Sequence, residues 1–273
     1  MATERTFTAS GAGPLTVDLT SITGTVSVAV DPATASATVT VRTEDASGPS
    51  ADAVNSTTFK EDPDERSLLV RVPRPKTVGR ASTSASAGRR VHNVISGGSY
   101  DSMVIMAGNI GNLNLTSDTV LIDSSGTGRS ETEPSPVEVE VRLPQGSSLA
   151  LTTSKAHLCV TGPLSVLEVT SRAGHVTADA ADTVDIITTD GRIEIGAILS
   201  KGKIATDSAD IELRAYQGSD LSVESRTGDI RLTATSTATG PVELTTVDGS
   251  IVTKGAQDLD LTAHSANGVV HHR

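Results

Sequence analysis

His157, Cys159 and His175 are the residues in this chain best suited to hold a metal, and Cys159 is its single cysteine. Imidazole and thiolate are good ligands for zinc or copper. His157 and Cys159 alternate within HLCV, so an extended chain turns both to one face. No CxxC or HxxxH spacing accompanies them, so ordinary neighbouring surface side chains are the favoured reading and no metal or cofactor is expected. Glu194 and Glu212 could form an acid pair. Arg192, Asp210, Asp229 and Arg231 stand at similar places and suggest a ladder of mixed charge instead. Asp190 and Asp248 each precede a glycine, where Asp serves as a turn residue. His271 and His272 fall in a tail expected to fray. No GxSxG, Walker loop, strand-associated GxGxxG or GGxGxDxUx repeat occurs, so no catalytic or cofactor-binding residue is assigned.

These residues sit inside a repeated phrase. VLEVTSRAGHVTA (166–178), VDIITTDGRIEI (184–195), LSVESRTGDIRL (221–232) and VELTTVDGSIVT (242–253) share one template. Anchored on the aliphatic residue after the glycine, copies fall at Leu158, Val176, Ile193, Ile211, Ile230 and Ile251, with gaps of 18, 17, 18, 19 and 21 residues. VDLTSITGTVSV (17–28) fits at Val26, and LDLTAHSANGVV (259–270) is a degenerate last copy. Seven positions before each regular anchor stands an aliphatic residue. Five before it stands Ser or Thr (Ser21, Thr153, Ser171, Thr188, Thr206, Ser225, Thr246), and two before it Gly or Ala.

Alternation broken by a small residue reads as strand, corner, strand. A near-constant period points to an all-β solenoid or β-helix-like stack of strand–turn–strand repeats. In such a stack the hydroxyl position is inward, where each OH bonds to its neighbour or to backbone. His157, Cys159 and His175 would then share one outer patch. The alternative is an antiparallel hairpin array or sandwich, with TDGR, RTGD and VDGS as two-residue turns.

The phrase [ST]-x-x-G-[DEHRS]-[IV], present as TTDGRI, SRTGDI, TVDGSI and SRAGHV, resembles the bacterial DUF4097 repeat family, whose members are labelled adhesins. VEVEVRLPQGSSLALTT (137–153) is similar to that family's strand, Pro-x-Gly turn and first rung. The resemblance covers roughly 137–270 and, more loosely, the N-terminal copy. It implies a β-helical stack and no established activity, because the adhesin label follows shape.

Two regions are expected on this reading. Residues 1–136 form an N-terminal β region with one repeat copy, strands at ATVTVRT (37–43) and SLLVRVP (67–73), a flexible loop near 73–90 and extra strands within 91–123. Residues 44–66 are acidic and turn-rich. Residues 137–273 form the C-terminal repeat stack. Low charge and β-forming residues in 91–115 also admit a self-assembling segment.

Composition limits function further. The chain has 273 residues, 36% of them hydrophobic, and a net charge of −11. No basic block offsets that charge, which disfavours nucleic acid as a partner. Trp is absent, with two Tyr and two Phe, so aromatic platforms for sugars are scarce. The beginning MATERTFTAS lacks an apolar h-region and no apolar run approaches a membrane span, which leads to the expectation of a cytoplasmic protein. The function expected is a non-enzymatic scaffold or interaction module with an unknown protein partner or itself. A polysaccharide-binding or polysaccharide-acting β-helix protein is the alternative, and self-assembly through 91–115 another.

Overall fold

The computed structural model describes residues 2–75, 112–116, 119–123, 135–256 and 259–273. The described residues are all-β apart from one short helix. In order come β1 (Thr3–Thr8), β2 (Thr16–Val30), β3 (Thr38–Thr43), α1 (Pro49–Asn55), β4 (Thr58–Asp62), β5 (Ser67–Arg71), β6 (Asn112–Thr116), β7 (Thr119–Asp123), β8 (Glu138–Leu143), β9 (Ser148–Ser171) and β10 (His175–Tyr216). After these come β11 (Asp220–Thr227), β12 (Ile230–Ala234), β13 (Pro241–Asp248), β14 (Ile251–Lys254), β15 (Asp260–Ser265) and β16 (Val270–His272).

Each repeat copy bends at its corner glycine or alanine into two arms, and copies pair arm to arm in parallel. In the first arm Ile186 lies opposite Val169, Ile204 opposite Val223, and Val223 opposite Leu244. In the second arm Val176 lies opposite Leu158, Ile211 opposite Ile230, and Ile230 opposite Ile251. Pairing register therefore equals repeat register. The turns at TDGR, RTGD and VDGS do not close hairpins, because each arm finds its partner in the next copy. Antiparallel pairing among the described residues joins only β1 to β3, β3 to β8, β4 to β5 and β6 to β7.

The period-two pattern is obeyed inside each arm. All seven regular anchors are buried, as are the aliphatic residues seven before and the residues two after them. Branched aliphatics fit such half-buried pleated surfaces, and each fully buried one stabilises by roughly 1.5–3 kcal/mol. The core is almost free of aromatics. Tyr216 is fully buried in it, and burial pushes its phenol up to about 12.

Why the corner takes glycine is visible at Gly191. Its φ is 134°, and a Cβ there would stand 1.8 Å from the carbonyl oxygen of Gly174 in the copy before. At this corner the backbone touches that of the copy before, and a side chain has no room, whereas Ala156 and Ala209 fill the same position in two other copies.

All seven corner hydroxyls are buried. Their bonding differs from a hydroxyl-to-hydroxyl ladder. Ser171, Thr188 and Ser225 each donate to the carbonyl two residues on, at Ala173, Asp190 and Thr227, and so tie down their own corner. Thr246 donates instead to the Gly228 carbonyl of the previous copy. Thr153 and Thr206 hold buried hydroxyl oxygens that bond to nothing. Unpaired buried polar groups cost stability, whereas paired ones contribute about 1 kcal/mol. Thr206→Val is therefore expected to leave stability unchanged or raise it, and Thr188→Val to lower it by about 1 kcal/mol. Urea denaturation of the two variants distinguishes these outcomes.

Residues Met1–Lys76 and Pro134–Arg273 make one compact unit, and Thr77–Glu133 a second. β2 explains this. Its whole length pairs with β9, placing Leu19 opposite Leu151, Ser21 opposite Thr153 and Val26 opposite Leu158. On its other side β2 pairs with β5 and β8. The N-terminal copy is thus an interior layer of the repeat stack. β3 and β1 then continue outward from β8, and β4 from β5, in antiparallel pairing.

Within the stretch read as acidic and turn-rich, α1 and β4 form. Pro49 stands at the start of the helix, where its missing N–H costs nothing, and Ala51, Ala53 and Val54 are buried beneath it. Nearby, the Ser135 hydroxyl and N–H hold the Asp45 carboxyl below its usual range. The tail expected to fray is instead β16, paired with β14, and the His272 ring nitrogen Nδ1 lies 2.7 Å from Thr253 Oγ1. In the second unit β6 and β7 pair antiparallel. The loop expected near 73–90 lies, beyond residue 75, outside the described residues. So does 91–111 of the expected assembly segment. No helix among the described residues is long and apolar enough to cross a membrane.

Candidate functional site

The outer face of the second arm carries the residues singled out for chemistry. Each projects because its neighbours in the strand point inward: His157 and Cys159 flank buried Leu158, and His175 precedes buried Val176. The register of Leu158 opposite Val176 puts His157 beside His175, with ring centres 4.9 Å apart and planes 37° apart. Cys159 lies beside Thr177 and is exposed. The three share one face. No group of three or more His, Cys, Asp or Glu side chains converges on a common point among the described residues.

Further along the same face, Glu194 and Glu212 do neighbour each other, but not as an acid pair. Arg192 contacts Glu194 at 2.7 Å and Glu212 at 3.5 Å. Arg214 contacts Glu194 at 2.7 Å and Glu212 at 3.1 Å. Each carboxylate is engaged by both guanidiniums, which leaves neither placed to exchange a proton with a substrate. Arg214 completes this quartet and was missed in the sequence. It stands two residues after Glu212, so the same alternation that placed Glu212 outward would have found it.

Asp210 and Asp229 do a different job. Asp210 Oδ1 accepts the Asp229 backbone N–H at 3.0 Å, and Asp229 Oδ1 accepts the Ser250 N–H at 2.9 Å. Each carboxylate thus caps the corner of the next copy, and Arg231 binds Asp229 at 2.9 Å. At the turns, the Asp190 N–H bonds the Arg172 carbonyl, and Asp248 accepts from the Asn267 amide at 2.7 Å.

Two shallow grooves cross this face. One, of about 440 Å³, is lined by Thr25, Ser27, Arg42, Glu138, Glu140 and Cys159 among others. The other, about 240 Å³, lies between Glu212, Arg214, Arg231, Lys254 and Arg273. Both are open to solvent along one side. Arg42 is engaged by Glu138 at 2.8 Å, which raises its pKa. The pairing of β3, β8 and β2 that builds the first groove joins residues roughly a hundred positions apart, and nothing local in the sequence announces it.

A family profile described as Toastrack DUF4097 matches residues 109–273. The chain belongs to this family. The DUF4097 match begins within the second unit and runs through every copy from Leu151 onward. Several solved structures are similar to this chain. One is a "putative adhesin" from Parabacteroides distasonis ATCC 8503, 10% identical, covering 99% of this chain and 97% of that one, with a TM-score of 0.49. A second is a "putative adhesin" from Bacteroides fragilis NCTC 9343, 12% identical, covering 100% and 97%, with a TM-score of 0.46. A third, from Parabacteroides distasonis ATCC 8503, carries the name "Putative lipid binding protein", at 8% identity, coverage of 98% and 96%, and a TM-score of 0.29. At such scores these likenesses carry no conclusion about this chain. No curated protein matches the DUF4097 chain in sequence.

Proposed function

We propose that this chain is a non-enzymatic β-solenoid scaffold that docks a protein partner along the outer face of its first arm. One turn of the solenoid corresponds to one repeat copy. The supporting observation is the agreement of pairing register with repeat register, which lines up like positions of consecutive copies. On the first arm, Thr20, Thr152, Thr170, Ile187 and Ala205 occupy one such position, with Thr20 opposite Thr152 and Thr170 opposite Ile187. From Thr20 to Ala205 this stretch carries no charge, with Arg71 opposite Thr20 at one end and Glu224 opposite Ala205 at the other, and Ile187 within it is 51% exposed. An uncharged strip on a rigid pleated surface offers a partner desolvation at little cost in ordering. The second arm is different in kind: Arg192, Glu194, Glu212 and Arg214 there already pair with one another.

Catalysis is a poorer fit to these residues. The neighbouring carboxylates are clamped by arginines, and the grooves do not enclose a substrate. Polysaccharide is also a poorer fit. Phe7 and Phe59 stack on each other with centres 5.3 Å apart, and Tyr216 is in the core, so none of the described aromatic rings forms an open platform.

The test is affinity capture from the native cell with quantitative mass spectrometry, using the unaltered chain and Ile187→Glu. A specific partner is expected to be retained by the first and depleted about tenfold or more by the second, the loss of a central apolar contact being worth 1–2 kcal/mol or more. Identical captures would remove the first arm as the docking face. Retention on a glycan array would favour the polysaccharide reading.

A further inference from the structure

We infer that His157 and His175 form a two-imidazole chelating site for a late divalent transition metal on the outer face of the second arm. The rings sit 4.9 Å apart, centre to centre. An imidazole nitrogen binds such a metal at ~2.0–2.1 Å, which sets the ring centre about 3.2 Å from the ion. Two rings on neighbouring coordination positions, at ~90–110°, then have centres roughly 4.5–5.3 Å apart. The observed separation falls inside that span.

The pair is also held in place. Both histidines stand on paired strands, each next to a fully packed anchor, Leu158 or Val176, whose register is fixed across the ladder. Sites on strands keep their geometry better than sites on loops. Their neighbours along the same line are Thr25, opposite His157, and Arg192, whose guanidinium is taken up by Glu194 and Glu212. The nearest cation on that line is therefore neutralised. Imidazole selects nickel, copper and zinc over magnesium or calcium, with copper the strongest in a given nitrogen site. Cys159 shares the face but does not converge with both rings, so the remaining coordination positions belong to water or to a donor from outside the chain.

Calorimetric titration of the full chain with Ni2+–iminodiacetate tests the site, because this chelate leaves neighbouring coordination positions open for a cis pair of imidazoles. One-to-one binding is expected at neutral pH. His157→Ala and His175→Ala should each weaken it by about tenfold or more, since the second imidazole acts at high effective concentration only when both are present. Cys159→Ser and the double change His271→Ala/His272→Ala should leave it unaltered. Circular dichroism of the histidine variants should match the parent, because both side chains are exposed. The inference is overturned if His157→Ala or His175→Ala binds as the parent does, or if affinity is lost in the Cys159 or the His271/His272 variant.

Discussion

Ile211→Asp is expected to unfold the stacked copies, while Arg192→Ala one layer away should be nearly silent. Ile211 is fully buried between the second arms of neighbouring copies, opposite Ile230. No cation faces inward there, so a carboxylate at this position would be buried without a partner. That costs several kcal/mol, against a total stability of ~5–15 kcal/mol for ordinary proteins. Because copies stabilise one another only through neighbouring contacts, damage in a middle layer splits the stack rather than trimming an end. Arg192 loses two exposed ion pairs when replaced by Ala, and such pairs are worth about 0–1 kcal/mol. Asp210→Ala should fall between, at about 1 kcal/mol, because it removes an acceptor from the Asp229 N–H. Chemical denaturation of the three variants orders them. Equal losses would mean that inward and outward positions have been exchanged.

The inward set was legible because alternation needs only local information. Leu19, Ile186 and Ile230 could be assigned by counting from a glycine. The inward hydroxyls were legible in position but not in bonding. Whether Thr188 bonds its own corner or Thr206 bonds nothing depends on backbone placement at the turn, which a repeat pattern does not specify. Pairing between distant segments was beyond reach for a related reason. β8 and β2 both read as strands, yet what joins them is a register between residues more than a hundred positions apart. The helix α1 was hidden by its length: seven residues give too little periodicity to stand out among acidic turn residues. On the outer face, the sequence placed Glu194 beside Glu212 correctly. It left Arg214 out, and with it the reason the two carboxylates can be neighbours.

Separating residues 137–273 from the rest should expose the cost of cutting through the stack. The repeat count alone argues that this block folds, since about three copies suffice for an array. The pairing of β2 changes what the block must tolerate. Without residues 1–136, β8 loses β2 and β3, the two strands with which it pairs. β9 loses the partner that runs along both its arms. Leu149, Leu151, Leu158 and Val160 lie opposite Val17, Leu19, Val26 and Val28 in that lost layer, and all eight are buried in the whole chain. Losing four buried aliphatic side chains removes about 6–12 kcal/mol, comparable to the stability of a domain. The copies from β10 onward keep their own interfaces, so the loss is concentrated at the new edge. An open parallel edge with apolar residues behind it recruits other chains. The block is therefore expected to retain a β-type circular dichroism spectrum, to melt well below the whole chain, and to sediment as dimers or larger species. A separately produced fragment of residues 2–75 carries β2 with its partner β5, and also β3, which pairs with β8 of the block. Adding it should convert those species to a one-to-one complex and raise the melting temperature. If 137–273 instead sediments as a monomer with the melting temperature of the whole chain, the N-terminal copy is a dispensable attachment and not a layer of the stack.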